Sequence, residues 1–323
     1  MGQLIARYLV LAIAVVVLNF LLPRLLPGDP LEAATPDGLA AGGPVLTIQQ
    51  RAQLRAEYRL DQPLASQFLG YVSDLGRGDL GWSLSKSAPV SRLITDRLPW
   101  TLALVGTGVA VAAVGGSALG VLIAWRGERI DVLLVGGLAA LSALPEFLVA
   151  VSLLLVFAVW AGWFPLQGGR TPFVDAPLWT PAGAADIAWH LALPALALVI
   201  ASTPAFALVA RGAMRTVVAE RYLATARAKG LDECTVALRH AVPNAALPML
   251  TLLAVRAGHA LGGVVLVERV FALPGLGLLA FEAVGARDYP VIQAVFLLGS
   301  LGVLLAMVAL EVVVRVWSAH AAT

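Results

Sequence analysis

The sequence predicts an all-α polytopic membrane protein with six transmembrane helices, and three observations lead there. Of 323 residues, 59% are hydrophobic and only 13% charged, whereas an average soluble domain is about 25% charged. Charge at half the usual density cannot cover a soluble surface of this size. Six apolar stretches each reach the about 20 residues that carry a helix across a ~30 Å hydrocarbon core. The alternating segments of a membrane barrel are absent, and in lipid a helix satisfies its own backbone hydrogen bonds. The same composition excludes intrinsic disorder. A formal net charge of +2 says nothing in favour of nucleic acid. The single Cys234 excludes an internal disulfide, a CxxC pair and a Cys-based metal cluster.

The first predicted span covers residues 8–26, within an N-terminal membrane helix of residues 1–26. A signal peptide is the weaker reading of it. One arginine, Arg7, makes a thin basic region, and Arg24-Leu25-Leu26-Pro27 separates the apolar run from any cleavage site. Residues 27–97 form a segment outside the membrane. Within it Thr47-Ile48-Gln49-Gln50 fits a capping box for a helix ending near Leu60. Asp61-Gln62-Pro63 breaks that helix. Leu64, Phe68, Tyr71, Val72 and Leu75 then recur at helical spacing, and Gly76, Gly78 and Gly81 punctuate a loop. The pattern predicts a small external helical subdomain; an ordered loop with no role beyond packing is the alternative. The core, residues 98–323, holds the other spans: 98–125, 132–160 with Pro145 and Glu146, 187–210, 244–267 and 289–311.

Orientation follows from Lys and Arg in the short loops. Arg126 and Arg129 follow the second span. Arg211, Arg215, Arg221, Arg227, Lys229 and Arg239 follow the fourth. The loops after spans three and five hold only Arg170, and Arg269 with Arg287. Loops 126–131 and 211–242 are therefore cytoplasmic, as are both termini. The seven basic residues of 27–97 do not oppose this, because long loops translocate largely regardless of charge.

The chain carries no chemistry of its own. A phosphate-binding loop needs Gly-Lys, but Lys86 follows Ser85 and Lys229 follows Ala228. There is no Gly-x-Ser-x-Gly elbow and no His-Glu-x-x-His, and the histidines at 190, 240, 259 and 320 are scattered. No catalytic site, metal site or cofactor is expected, and the chain is not read as an enzyme.

Loop 211–243 is the most informative stretch. Met214, Val217, Val218 and Tyr222 form one apolar face of a helix over 214–230. Arg215, Glu220, Arg221, Arg227 and Lys229 decorate the rest. Gly230 ends it, since glycine accepts the left-handed conformation there. Asp232 N-caps a second short helix, and Pro243 starts the return into the membrane. A helix–Gly–helix outside lipid suits docking into another protein's groove. The residues also fit a solvated positive-inside loop, and by themselves they leave both open. Inside the spans, ionisable residues carry functional hypotheses. Arg256 and His259 are three apart and share a helix face; with Glu146 they are candidates for a hydrophilic translocation path. The structural alternative has Glu146 hydrogen-bonded at the proline kink and Arg256 paired with an acid of a partner subunit. His190 and His240, near span ends, read as packing residues.

The stretch Glu220-Arg221-Tyr222-Leu223-Ala224-Thr225-Ala226-Arg227-Ala228-Lys229-Gly230-Leu231 resembles the EAA-loop signature of ABC importer permeases. More narrowly it is similar to the first-permease (B-type) branch of the dipeptide/oligopeptide/nickel permease family. Ala224-Thr225-Ala226 takes the place of Glu-Ala-Ala, Gly230 is the pattern's glycine, and Val242-Pro243 stands for its Leu-Pro. Other stretches match the same branch in order: Pro27-Gly28-Asp29-Pro30, Leu60-Asp61-Gln62-Pro63, Gly78-Asp79-Leu80-Gly81-Trp82-Ser83, Leu98-Pro99-Trp100-Thr101-Leu102, His240 with Asn244, Glu268 and Phe271 with Pro274-Gly275-Leu276-Gly277, and Arg287-Asp288-Tyr289-Pro290. Departures exist. Glu311 stands near the family's usual Asp in span six, the Asp-Pro-Arg tail is not in this sequence, and Pro243 replaces a frequent basic residue.

The resemblance implies the permease fold of type I ABC importers in a bacterial inner membrane. It implies a second homologous permease forming a heterodimer, two cytoplasmic ATPase subunits and an extracytoplasmic solute-binding protein. It assigns ATPase coupling to Glu220, Ala224, Ala226, Arg227, Lys229 and Gly230, and makes Asp79 and Trp82 candidates for binding-protein contact. Oligopeptides or dipeptides are the implied cargo, with nickel or a metal chelate as the alternative; sparse His and Cys disfavour a bare metal. An ion-coupled secondary transporter would need inverted repeats, and none is visible. An intramembrane enzyme would need a catalytic constellation.

Overall fold

The computed structural model describes residues 2–25, 61–126, 128–172 and 180–321. In chain order these form α1 (Gly2–Leu25), α2 (Leu64–Gly76), β1 (Trp82–Ser83), β2 (Ala88–Pro89), α3 (Val90–Arg126), α4 (Glu128–Ser142) and α5 (Glu146–Leu153), which widens into a π-helical run over Leu154–Trp160. There follow α6 (Pro181–Val218), α7 (Arg221–Ala228), α8 (Glu233–Thr235) with a π-helical Val236–Ala241, α9 (Val242–Gly263), α10 (Val265–Val270), α11 (Leu276–Gly285) and α12 (Tyr289–Ala321). The Thr47 capping box, its helix to Leu60 and the Pro27–Pro30 motif lie outside the described residues.

The fold is that of an all-α membrane protein. Among the described residues three helical stretches are long and apolar enough to cross a bilayer: Val90–Trp125, Pro181–Val218 and Tyr289–Arg315. The stretch expected as the third span, with Pro145 inside it, is broken there. Asp131–Ser142 and Glu146–Trp160 meet at 89°. Proline has no N–H to donate and disfavours helical geometry in the residue before it. The chain therefore closes α4 with tight turns, Ala143 N–H to Ala140 O and Leu144 N–H to Leu141 O, both 3.2 Å. It restarts with Pro145 in an extended N-cap conformation. α1 holds a shorter apolar stretch, Ala6–Leu21, and α9 occupies the place of the fifth predicted span.

α3 begins eight residues before the predicted span, at Val90 rather than 98. Its first two turns carry Arg92, Asp96 and Arg97, charges that end a membrane segment without ending a helix. Val90 N–H donates to Gly81 O at 3.0 Å, so the preceding hairpin fixes the start. α6 has 38 residues, ~57 Å at about 1.5 Å per residue, nearly twice the ~30 Å core. Its ends therefore stand outside hydrocarbon.

The chain divides into two compact units. The first comprises Met1–Thr101, Leu261–Val265 and Pro274–Leu304. In it α2 lies on α1. Phe20 meets Phe68 edge-on at 5.2 Å, Asn19 donates to the Tyr71 hydroxyl at 2.9 Å and Arg24 to Gln67 Oε1 at 3.1 Å. The face of α2 turned inward thus includes buried Gln67, while Leu64 and Val72, expected on that face, are exposed. The polar pairing with Arg24 rotates the helix away from its purely apolar stripe. The Gly76–Gly81 loop, with Gly78 at φ +76° and Gly81 at φ +84°, leads into a hairpin pairing Trp82 with Pro89 and Ser83 with Ala88. The unit's core is Val90, Ile94, Leu276, Leu279, Val291 and Val295 with their neighbours. The buried Thr101 hydroxyl accepts from Leu276 N–H at 2.8 Å and so caps α11.

The second unit comprises Leu102–Ala260, Leu266–Leu273 and Leu305–Thr323. α4 and α5 pack on α6, and α3 approaches α6 closely along its glycines. His190 is a packing residue, as expected: it is buried, with Nδ1 2.9 Å from Asp186 O.

Candidate functional site

The candidate hairpin grows out of the end of α6. The expected continuous helix over 214–230 is interrupted. α6 stops at Val218, Glu220 is extended (φ −73°, ψ 140°), and α7 begins at Arg221. Thr216, Val217 and Val218 are β-branched and stiff at χ1, which weakens helix propagation just there. α7 turns Leu223 and Ala226 into a buried cluster with Met214, Val236, Ala241 and Ala245, flanked by Val121, Trp125, Val217 and Val242. Tyr222 is exposed rather than part of the inward face. Its hydroxyl donates to His240 O at 3.3 Å and accepts from Asn244 Nδ2 at 3.1 Å. Apolar packing on one side and this polar tie on the other join α7 to α9.

Gly230 terminates α7 as expected, with φ +82° and its N–H on Arg227 O at 2.9 Å. Asp232 is the N-cap of α8, accepting from Thr235 N–H at 3.0 Å and Thr235 Oγ1 at 2.7 Å. The Thr235 hydroxyl, then its N–H, hold the Asp232 carboxyl below the usual carboxylate range. Arg227 pairs with Glu233 at 2.8 and 3.3 Å, and its guanidinium stands 5.5 Å from the Trp125 ring centroid. The Glu233 hydrogen bond raises its pKa further, so it stays cationic. Glu220, Ala224, Arg227, Lys229 and Gly230 all face solvent. Ala226 does not: it is 8% exposed, and its small side chain serves the close approach of α7 to the cluster.

Two further groupings lie in the same unit. Asp131, which sequence reasoning did not single out, accepts from Arg211 Nε and Nη2 and from Arg215 Nη1 at 3.0 Å. Glu146 and Arg256, expected separately, are brought together at 3.5 Å, each about a third exposed (37% and 34%). Arg256 thus has an acid of its own chain. The side chain of His259 lies outside the described residues. In the first unit, Asp79 is exposed and accepts from Gly81 N–H at 2.9 Å, and Trp82 is 47% exposed on β1. Ser83, beside it, is buried and donates to Asp288 Oδ2 at 2.6 Å.

The chain is a multi-pass helical membrane protein whose longest described helix leads into a packed, basic hairpin. Residues 116–320 match the model of the family described as binding-protein-dependent transport system inner membrane component. The "Probable peptide ABC transporter permease protein y4tP" of Sinorhizobium fredii is 36% identical over 303 residues, 92% of each chain. The glutathione transport system permease protein GsiC of Escherichia coli K12 is 36% identical over 297 residues, covering 92% of this chain and 90% of its own. GsiC of Salmonella typhi is 37% identical over 301 residues, with the same coverage. The chain belongs to the family of binding-protein-dependent transport system inner membrane components. It is a permease subunit of an ABC importer, and such a subunit works with ATPase and solute-binding partners.

Proposed function

We propose that this permease imports peptides as one half of a heterodimeric pathway. It has six spans and cytoplasmic termini in a bacterial inner membrane, and the α7–α8 hairpin is the ATPase-docking element. The observation that carries this reading is the hairpin itself. A buried apolar cluster fixes it to α6 and α9, while Arg221, Ala224, Lys229 and Gly230 stay exposed. The relatives' names supply the peptide class. The positive-inside distribution supports the orientation, and the external segment with Asp79 and Trp82 then faces the binding protein.

Gly230→Pro tests the docking role. Proline fixes φ near −65°, incompatible with φ +82°, and removes the N–H that closes α7. No atom lies within 4 Å of a Cβ placed at Gly230, so the lesion is one of backbone direction and not of crowding. ATP-driven uptake by the reconstituted importer is expected to fall about tenfold or more, the size of a typical coupling free energy, with membrane levels unchanged. Full uptake by this variant refutes the docking role.

Glu146 and Arg256 are the pair we place on the translocation path. Glu146 opens the helix that follows the 89° bend, Arg256 reaches it from α9, and a third of each side chain is open. Both charges suit the ammonium and carboxylate of a peptide. Arg256→Ala is expected to raise several-fold the peptide concentration for half-maximal uptake, and more for a free carboxyl terminus than for its amide. An equal response to acid and amide removes the pair from the path.

A further inference from the structure

We propose that Asp131 is a positioning residue of the transport cycle: its carboxylate clamps the end of α6 that carries the hairpin to the start of α4, so that hairpin displacement reaches the broken third span. This rests on the docking role of the hairpin proposed above.

Both of its oxygens are engaged, Oδ1 by Arg211 Nε and Oδ2 by Arg211 Nη2 and Arg215 Nη1. The Asp131 side chain is 9% exposed and that of Arg211 21%, so the Arg211 fork is largely shielded from water, while Arg215 is half exposed. The placement suits both helices. Asp131 lies in the first turns of α4, where an acid complements the helix N-terminus, and the arginines lie in the last two turns of α6, where cations complement the C-terminus. Farther along, α4 and α6 share an apolar cluster, Leu138 with Ala207, which Ile123 of α3 completes. Apolar contact is non-directional and lets helices slide or roll. A two-pronged guanidinium–carboxylate pair has fixed geometry and resists both. Met214, between the two arginines in sequence, is fully buried against Leu223 of α7. One short piece of α6 thus holds the hairpin on one side and α4 on the other. α4 runs from this clamp to Ser142, and the first joint it meets is the 89° bend. Buried ion pairs add little net stability over apolar packing of the same volume, so a purely stabilising contact needs no charge here.

The test uses the whole importer in proteoliposomes, with its own second permease, ATPases and binding protein, and with trialanine and glutathione as probes. The readout is solute moved per ATP hydrolysed, per assembled complex. The wild-type complex is measured first: its uptake tests the peptide assignment, and the ratio in the variants relative to it tests the clamp. Asp131→Asn is expected to lower the ratio about tenfold while ATP hydrolysis persists, and Asp131→Glu to restore most of it. Uptake and hydrolysis falling together, with the ratio unchanged, overturn the proposal. If Asp131→Asn does not assemble, Arg215→Gln replaces it, because it leaves the Arg211 fork in place. A smaller fall in the ratio is then expected, and an unchanged ratio again overturns the proposal.

Discussion

Gly120→Val is expected to leave the membrane fraction without folded protein. A Cβ at Gly120 would run into Ala207 O and lie 2.8 Å from Ala210 Cβ. One turn earlier, a Cβ at Gly116 would lie 2.7 Å from Thr203 O and 2.8 Å from Phe206 Cβ, and at Gly108 2.8 Å from Leu198 Cβ. Small residues four apart let two membrane helices approach until their backbones touch. Here the obstacle on α6 is largely backbone, which cannot rotate aside. Valine must part α3 from α6, and the buried neighbours Ile123, Phe206, Ala207 and Ala210 lose their packing together. Overpacking of a single site usually costs about 1–3 kcal/mol; separating a whole helix pair exceeds that. The control lies on the same helix, away from the contact. No atom lies within 4 Å of a Cβ placed at Gly115, so Gly115→Ala should be tolerated or gain up to about 1 kcal/mol from helix propensity. Size-exclusion profiles of the two variants after detergent extraction check the pair. A monodisperse Gly120→Val protein at wild-type yield would show that the helices are not in this contact.

Much of this fold was legible because the signals were local. Apolar length located α3, α6 and α12, and Pro63 set the start of α2 at Leu64. Gly230 and Asp232 ended and restarted the hairpin as their side-chain chemistry requires. Pro145 was visible, but not that it would turn the chain by 89°, because composition measures length and not direction. The stop at Val218 depends on a β-branched run that competes with the strong helix formers around it. With Glu220 in the extended link, Glu233 is the acid that Arg227 reaches. The hairpin strands have two residues each, too few to show a period. What remained hidden were pairings across the chain: Asp131 with Arg211, 80 residues apart, Glu146 with Arg256, and Ser83 with Asp288, 205 residues apart.

That last pairing sets the second large effect, Asp288→Ala. Asp288 is 2% exposed and Ser83 fully buried. One carboxylate oxygen, Oδ2, accepts from Ser83 Oγ at 2.6 Å, Ser85 Oγ at 2.7 Å and Ser85 N–H at 3.0 Å. Hydrogen bonds to a charged group contribute about 1.5–3 kcal/mol each, but three donors on one oxygen are not additive. A loss of about 3 kcal/mol is expected, since alanine leaves the buried Ser83 hydroxyl and the Ser85 donors without their acceptor. Ser83→Ala removes one of the three donors and the acceptor of Lys86 N–H at 3.1 Å, so it should cost about 1.5–2 kcal/mol. The double variant should fall short of the sum. Gly81 lies beside the first turn of α12, where a Cβ on it would reach ordinary contact with the Pro290 ring at 3.4 Å. Thermal unfolding in detergent measures all three variants. Because the same bonds hold the strand that displays Trp82, Asp288→Ala should also weaken uptake driven by the binding protein more than it weakens ATP hydrolysis. Equal stability of Asp288→Ala and wild type would mean that the hairpin is held by the Lys86–Glu282 pair, 2.7 Å long but a third exposed on each side, and surface pairs of that kind rarely exceed about 1 kcal/mol.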